Sequence, residues 1–358
     1  MGLHGSSTTP LILQDARVPA DNVLGEIGKG HKVAFNVLNY GRFKLAAMCS
    51  GGARRIIAQA AAYAAERKQF NQPIAAFGAI RHKLAEMLVR EYAVEAMLYR
   101  TAGLIDGAVQ DSHESEAVLT ALEEFAIEAS ILKVASSEMI DFAVDENVQI
   151  HGGNGFVRDY PAEGQYRDAR VNRIFEGTNE INRLLIPGML AKRAVKGALP
   201  IIAAARALQD ELLSPSFDPP GDEPLDAATK AVAGMKKVAL MVLGTAMQTY
   251  GAALAEEQEV LTRAADVVID VYAAESTLLR AQHAGGALHH AAAQVFINDA
   301  AARVEVAARD ALAAMAEGDM LRTLTAALRR LLKTTPVNTV ALRRQLAAAL
   351  AERRVYIF

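Results

Sequence analysis

A glutamate in a short loop is the strongest candidate in this sequence for acid–base chemistry. Glu176 follows the apolar pair Ile174-Phe175 and precedes Gly177, just before a helix that is predicted to begin near Asn179. A carboxylate that loses hydration among apolar neighbours becomes a better proton acceptor, as a general base requires. The position equally suits an ordinary acidic residue at a helix N-terminus, where the helix dipole favours negative charge.

Two other segments have residue types that bind anionic or aromatic groups. Arg67-Lys68-Gln69-Phe70 places two cations and an aromatic ring at a helix end, and guanidinium groups form forked bonds to phosphate oxygens. The segment from Gln149 to Phe156 has three glycines, which allow a ligand to approach the backbone closely. Basic residues also favour helix C-termini and glycines also favour turns, so neither segment assigns a ligand by itself.

Composition excludes several kinds of protein. The 358 residues include 38 basic and 41 acidic side chains, for a net charge of -3, so the basic excess of nucleic-acid binders is absent. Cys49 is the single cysteine, which excludes an internal disulfide and a cysteine-rich zinc site and favours a reducing compartment. No Glu-x-x-His or His-Glu-x-x-His pattern occurs, so no metal site is expected. No unbroken run of about 18 apolar residues occurs, so no membrane-spanning helix is expected.

Helices must position these candidate groups, because the sequence is rich in alanine and in apolar residues at helical spacing. The pattern predicts an all-α protein, in which an antiparallel helical bundle is followed by a second helical domain. Leu11 to Leu13 predicts one short strand, for which the sequence offers no evident partner. The predicted helices lie at about 31–67, 77–106, 115–147, 179–195, 225–255, 257–283, 286–317, 319–333 and 338–351.

The chain after Met320 has an uneven charge distribution. Between Met320 and Phe358 there are eight basic residues and one acidic residue. A solvated helix face accounts for this pattern, and so does a surface that meets anionic lipid or an acidic partner.

Five segments, in their order along the chain, resemble the C-terminal half of the acyl-CoA dehydrogenases. They are 18–25 (VPADNVLG), 39–42 (NYGR), 67–74 (RKQFNQPI), 149–156 (QIHGGNGF) and 174–180 (IFEGTNE). This resemblance covers about residues 1–195. Residues 200–358 are similar, less specifically, to the extra helical domain of the very-long-chain branch, through 257–261 (EQEVL) and 264–272 (AADVVIDVY).

The resemblance implies roles around the thioester of the substrate. Glu176 corresponds to the catalytic base that removes the α-proton of an acyl-CoA, while a hydride leaves the β-carbon for FAD and a trans-2-enoyl-CoA forms. Gly177 leaves room for the thioester and Phe175 lines its pocket. Arg42 lies near the CoA end with Asn39 one turn before it, although many relatives have Asp at the position of Asn39.

The resemblance also implies FAD contacts. The FAD near the base is contacted by Thr178 and Glu180. The FAD of a neighbouring subunit is contacted by Arg67, Phe70, Gln149 and Gly153. Arg81 stands where many relatives have Gln, so the family's flavin contact at that point is not expected here. The implied partners are an electron transfer flavoprotein and further copies of the chain, as a homodimer or homotetramer.

The resemblance divides the chain into four parts and suggests that it is a partial enzyme. Residues 1–24 correspond to a remnant of the family's middle β domain, 25–199 to its C-terminal bundle, 200–224 to a linker and 225–358 to the additional helical domain. The chain has no tryptophan, whereas the family's middle domain often places one at the flavin. We therefore expect the isolated chain to bind FAD weakly or not at all and to be inactive.

Two other functions are consistent with the sequence. One is a helical module for oligomerisation, or for docking on a membrane or a partner, without catalysis of its own. The other is an acyl-CoA or nitroalkane oxidase on the same scaffold, although Glu176 between Phe175 and Gly177-Thr178 favours a dehydrogenase. For any of these we expect a bacterial cytoplasmic location, with peripheral contact at the inner face of the membrane.

Overall fold

The computed structural model describes residues 1–110, 114–213 and 225–358, and in these ranges helices predominate. A first helical unit, α1–α7, begins after a short 3-10 turn at Ala20–Asn22. Its helices are α1 (Gly30–Glu66), α2 (Gly78–Val109), α3 (Ser115–Glu124), α4 (Ala126–His151), the short α5 (Gly153–Phe156), α6 (Pro161–Ala169) and α7 (Asn179–Val195).

A second helical unit, α8–α13, follows. It consists of α8 (Ile201–Leu213), α9 (Asp226–Tyr250), α10 (Gln258–Ala284), α11 (Ala287–Met315), α12 (Gly318–Leu331) and α13 (Thr339–Arg353). The prediction of an all-α fold is confirmed. Within the described ranges the strands are a two-residue pair, β1 (Lys68–Gln69) with β2 (Gln72–Pro73), in antiparallel register.

Four long helices form the bundle of the first unit. Helix α1 is continuous over 37 residues because its inward stripe is small and apolar, with Ala53, Ile57, Ala60 and Ala64 each buried. It runs parallel to α4, since Arg42 near its start contacts Ser130 and Tyr63 near its end contacts His151. Helices α2 and α7 run in the opposite direction, so the bundle alternates up and down.

The two units share one hydrophobic core and several ion pairs. Helix α10 packs against α2 and α7 of the first unit, and α13 packs against α2. Arg280 of α10 donates to Glu95 at 2.6 Å, and Arg100 of α2 donates to Glu275 at 2.9 Å. The second unit therefore packs directly against α2 and α7 of the first unit.

Several local predictions differ from the structure. Leu11 to Leu13 lies outside any strand with its side chains exposed, since no backbone pairs with it. The predicted linker 200–224 contains α8, which buries Leu208 against the core, and residues 214–224 lie outside the described residues. The predicted helix 115–147 is two helices, because the backbone departs from helical pairing at Phe125.

A tight hairpin after α1 was not predicted. Phe70 and Asn71 have φ angles of 50° and 62°, which reverse the chain between β1 and β2. At the other end of the bundle, the glycine segment does end α4, because Gly152 has a φ angle of 58°. The residues after it form the short helix α5 rather than an open loop.

Helix α9 and its 3-10 extension have an apolar composition. Within the described ranges, the segment Asp226–Glu256 is long and apolar enough to span a membrane by length and composition alone. No unbroken apolar run marked it in the sequence. Val232, Met235, Val238 and Val242 form its buried stripe, and α9 packs against α8, α10, α11 and α12. A core helix of a bundle has this same composition, so the finding is weak evidence for a membrane span.

Candidate active site

Glu176 lies in a turn that two positive φ angles define. The short loop 174–178, called the base loop below, connects a 3-10 turn at Arg170–Arg173 to α7. Glu176 has a φ of 59° and Gly177 a φ of 78°. Only glycine adopts such angles freely, so the conformation of Glu176 costs energy that surrounding contacts must offset.

Asn182 supplies the contacts that hold this turn. Its fully buried side chain lies in the first turns of α7, and its Nδ2 donates to the carbonyl oxygens of Glu176, Gly177 and Thr178, at 3.4, 2.9 and 3.0 Å. The Thr178 hydroxyl caps the same helix by accepting from the Ile181 amide at 3.4 Å. The base loop is therefore fixed by backbone acceptors rather than by packing of its own side chains.

The Glu176 side chain lies across α1 at Gly41. A Cβ atom placed on Gly41 would lie 2.5 Å from Oε2 of Glu176 and 2.9 Å from Oε1. The carboxylate thus occupies space that only a glycine leaves open. Glu176 is half-buried, and the neighbouring Phe175 side chain is exposed beside it.

We expect Gly41→Ala to displace the carboxylate without unfolding the helix. The methyl group meets the end of a flexible side chain, so Glu176 can swing away, and acyl-CoA-dependent turnover of an active enzyme should fall about tenfold. Gly51→Ala is the matched control in α1, because nothing lies within 4 Å of its Cβ position and alanine favours the helix. Thermal unfolding should show both variants folded, and equal turnover in the two would contradict the placement of Glu176.

Arg42 joins α1 to the base loop. Its Nε donates to the Glu176 carbonyl oxygen at 3.2 Å, and its Nη1 donates to Asn39 Oδ1 at 3.2 Å and to Ser130 Oγ at 3.4 Å. Burial lowers the pKa of Arg42, and the nearby charge of Glu176 opposes that change. The structure thus brings the predicted base Glu176 together with the predicted substrate residues, which are Asn39, Arg42, Phe175 and Gly177.

The two FAD residues predicted near the base lie in the same place. Thr178 is the last residue of the base loop and the N-cap of α7, and Glu180 lies in the first turn of α7. A hydrogen bond from its own backbone amide, and then one from the Thr178 hydroxyl, lowers the pKa of Glu180. Together with the substrate residues they form the proximal cluster.

A buried lysine lies beneath the proximal cluster. Lys133 of α4 has no solvent exposure, and its Nζ donates to Asn179 Oδ1 at 2.6 Å. The same oxygen accepts from the Ser137 hydroxyl at 3.2 Å. Burial lowers the pKa of Lys133 to about 8, while the charge of Glu180 opposes the change.

We expect Lys133 to impose a pH dependence on stability. Its pKa is lower in the folded chain than in the unfolded chain, so between pH 8 and pH 10.5 the unfolded state binds more protons. The free energy of unfolding should therefore gain on the order of 2 kcal/mol from this group as pH rises through that window. Urea unfolding of the wild type and of Lys133→Met, from pH 7 to 10.5, should show that the gain disappears in the variant. If the free energy of unfolding changes with pH equally in the wild type and in Lys133→Met, the expected role of Lys133 is contradicted.

The remaining predicted FAD residues lie at the far end of the bundle. Arg67, Phe70, Gln149 and Gly153 are all exposed and form the distal cluster, where α1 and α4 end. Arg67, the C-cap of α1, lies 25 positions after Arg42, a distance of roughly 37 Å at 1.5 Å per residue. The proximal and distal clusters of one chain are thus well separated.

Aromatic side chains support the distal cluster. Tyr63 stacks on His151 with ring centroids 4.0 Å apart, and its hydroxyl donates to the His151 carbonyl oxygen at 3.2 Å. Asn154 donates to the Tyr63 hydroxyl at 3.1 Å. Gly155 packs so closely that an added Cβ would lie 2.4 Å from the Val148 carbonyl oxygen. This close packing fixes the glycine segment against α4.

Sequence reasoning missed the residues that support the site. Gly41 belongs to the segment 39–42 that carries the resemblance, but no role was predicted for it. No sequence pattern pointed to Ser130, Lys133 or Asn182, because each is an ordinary residue within a helix. Among the described residues no three His, Cys, Asp or Glu side chains are grouped to hold a metal.

Comparison with known protein families identifies both helical units. Residues 28–190 match the family described as acyl-CoA dehydrogenase, C-terminal domain, and residues 234–330 match a second family with the same description. The chain therefore belongs to the acyl-CoA dehydrogenases.

Individual relatives agree with this assignment. The chain is 45% identical over 368 residues to a probable acyl-CoA dehydrogenase of Bacillus subtilis, with 99% of this chain and 62% of that protein covered. It is 42% identical over 186 residues to the human mitochondrial very long-chain specific acyl-CoA dehydrogenase, over 52% of this chain and 26% of that protein. The chain thus spans only part of the length of these relatives.

A crystal structure of an acyl-CoA dehydrogenase from Bacillus anthracis, complexed with FAD, superposes on both units. The TM-score is 0.94 at 45% identity, and the match covers 97% of this chain and 61% of the other. The arrangement of the second unit on the first is therefore shared with that protein.

Proposed function

We propose that this chain carries the proton-abstracting side of an FAD-dependent acyl-CoA dehydrogenase site. The observation that carries the proposal is the Glu176 carboxylate, which a strained turn and Asn182 hold over Gly41 beside the Arg42 guanidinium. The reaction is the α,β-dehydrogenation of an acyl-CoA thioester to a trans-2-enoyl-CoA.

Each side chain has a defined part in this proposal. Glu176 Oε accepts the α-proton, and the half-buried position of the carboxylate limits its hydration when a substrate covers it. Arg42 fixes the backbone on which the base stands, and its burial with Asn39 places a positive charge at one side of the cluster. Gly177 leaves the loop uncrowded, since an added Cβ would lie 3.2 Å from Asn182 Nδ2 and 3.6 Å from Arg42 Nη2. The exposed Phe175 offers the thioester an apolar wall.

The exposed residues fit FAD as the cofactor. At the distal cluster, Arg67 is exposed, and Phe70 is 86% exposed. A cation beside an exposed aromatic ring suits a pyrophosphate with an attached ring system. Arg67, Phe70, Gln149 and Gly153 would hold one part of FAD, and Thr178 and Glu180 another. When bound, FAD supplies the hydride acceptor for the β-carbon.

The distance between the clusters favours a homo-oligomer. With roughly 37 Å of helix between Arg42 and Arg67, we propose that the distal cluster serves the FAD of a second copy, in a homodimer or homotetramer. The two electrons taken from the substrate must then leave the site. We propose an electron transfer flavoprotein as the acceptor.

Location and membrane contact stay predictions. We propose a cytoplasmic protein with peripheral contact at the membrane face. Leu321, Leu324 and Leu328 of α12 pack inward, so the side of α12 that can face a membrane carries basic residues such as Arg322 and Arg329. Such contact would depend on anionic lipid and weaken with salt.

The proposal is tested in a chimera and in the chain alone. The chimera is the Bacillus anthracis enzyme in which this chain replaces the matching segment. We expect the purified chimera to be yellow and to lose its flavin absorbance when acyl-CoA is added, with an electron transfer flavoprotein as acceptor. A chimera that binds FAD but is not reduced by acyl-CoA would contradict the proposal. If the reduced flavin passes its electrons mainly to oxygen, the consumption of oxygen would favour an oxidase instead. The isolated chain should be colourless.

A further inference from the structure

We propose that the second helical unit positions the base loop through one ion pair, between Arg183 of α7 and Asp266 of α10. The Arg183 side chain is only 17% exposed, and its Nε donates to Asp266 Oδ1 at 2.7 Å. Its Nη1 and Nη2 donate to the two carboxylate oxygens of Glu138 on α4, at 2.7 and 3.0 Å. One guanidinium therefore ties α7 to both neighbouring helices, and this inference rests on the proposed role of Glu176.

From this pair a polar path continues to the base loop. Glu138 Oε1 also accepts from Asn179 Nδ2 at 3.0 Å, and Asn179 Oδ1 accepts from Lys133 at 2.6 Å. Asn179 is the first residue of α7, and the base loop ends just before it. Asn182, which holds the carbonyl groups of the base loop, directly precedes Arg183. The Arg183 guanidinium thus fixes the first turns of α7, which contain Asn182, and Asn182 in turn holds the base loop.

Asp266 is the member of this path that comes from the second unit. Without it, the guanidinium keeps Glu138 as its partner, but α7 loses its ionic attachment to α10. Removing Asp266 leaves the Arg183 Nε without its acceptor, and a donor left unpaired on a partly buried charged group is costly. We expect α7 to relieve this by moving at its first turns, and Asn182 and the base loop to move with it. Asp266 is a positioning residue, since it touches no group of the proximal cluster named above except through Arg183.

Asp270 provides a matched control on the same helix. It lies one turn after Asp266 in α10, and its side chain is 15% exposed. It accepts from Arg303 of α11 at 2.6 Å, so its ion pair lies within the second unit. Asp266→Ala and Asp270→Ala therefore remove the same group from positions one turn apart, and only the first removes an ion pair with α7.

Hydrogen exchange of the purified chain, read by mass spectrometry, tests the structural half of the inference. We expect Asp266→Ala to speed the exchange of amides in 174–182 about tenfold, and Asp270→Ala to leave that rate unchanged. An unchanged rate in Asp266→Ala, or an equal increase in both variants, would overturn the inference. If Asp266→Ala does not fold, Asp266→Asn keeps the size, removes the charge and is judged by the same comparison.

Kinetics of the chimera separates positioning from simple stability. We expect Asp266→Ala to lower kcat about tenfold while the KM for acyl-CoA stays unchanged, because a misplaced base weakens the chemical step rather than binding. Asp270→Ala should change neither constant, and equal losses of kcat in the two variants would overturn the inference. A chimera that is inactive without any substitution contradicts the proposed function instead, and the exchange experiment still decides whether Asp266 holds the base loop.

Discussion

Glu176→Gln should reduce acyl-CoA-dependent flavin reduction in the chimera by about a thousandfold, because the glutamine amide does not accept the α-proton. Gln has nearly the same size and keeps the side chain over Gly41, so the turn and its hydrogen bonds to Asn182 should persist. The FAD content of the purified protein should therefore equal that of the parent. Rapid-mixing absorbance measures the reduction step directly, and the ratio of flavin absorbance to protein absorbance measures the FAD content.

Glu180→Gln is the control for this substitution. Glu180 lies four residues later at the start of α7, is exposed, and is a predicted FAD contact rather than a base. We expect it to weaken FAD retention while the reduction rate of the bound flavin stays within about tenfold of the parent, since no proton transfer depends on it. If Glu176→Gln leaves the reduction rate intact, or if Glu180→Gln causes the larger loss, the assignment of the base is wrong.

Asn182→Ala should lower the free energy of unfolding of the chain by about 3 kcal/mol, through lost hydrogen bonds and a small cavity. Its Nδ2 donates to three carbonyl groups of one turn, and alanine offers none of these bonds. The Oδ1 atom is buried without a hydrogen-bond partner among the described residues, so the stabilisation comes from the donor side of the amide. Urea unfolding followed by circular dichroism measures the loss.

Asn298→Ala is the matched control for stability. Asn298 is half-buried in α11 and donates to the adjacent Asp299 at 3.1 Å, so its removal should cost less than about 1 kcal/mol. We also expect Asn182→Ala to lower turnover of the chimera, because Glu176 has a positive φ that Asn182 helps to hold. A loss of stability no greater than in the control would show that the base loop does not depend on this side chain.

Helix positions were predictable where apolar periodicity and a breaking residue agree. The helix predicted at 257–283 is α10, Gln258–Ala284, because a buried stripe ends at the pair Gly285-Gly286. Helix α8 was missed because neighbouring prolines suggested a linker, although its Leu208 finds a buried place against the core. The break at Phe125 has no proline or glycine, so nothing in the local sequence indicated it.

The candidate site was predictable in its chemistry but not in its support. Glu176 stands out by its neighbours in sequence, whereas Asn39 and Arg42 came from the resemblance, and the structure brings all three together. Lys133 and Asn179 are 46 positions apart, and their contact exists only once α4 and α7 pack side by side. Spacing along the chain also gave no hint that Arg67 and Glu176 lie at opposite ends of one bundle. The roles of the site residues stay predictions until they are tested.

The unbroken length of α1 has a consequence for how this protein can change during evolution. One residue inserted between Arg42 and Arg67 would turn one cluster by about 100° relative to the other and shift it by about 1.5 Å, because a helix has 3.6 residues per turn. A loop absorbs such an insertion, but a continuous helix transmits it along its whole length. Insertions and deletions should therefore be tolerated in the connections between helices and rejected within α1, whatever residue types are introduced.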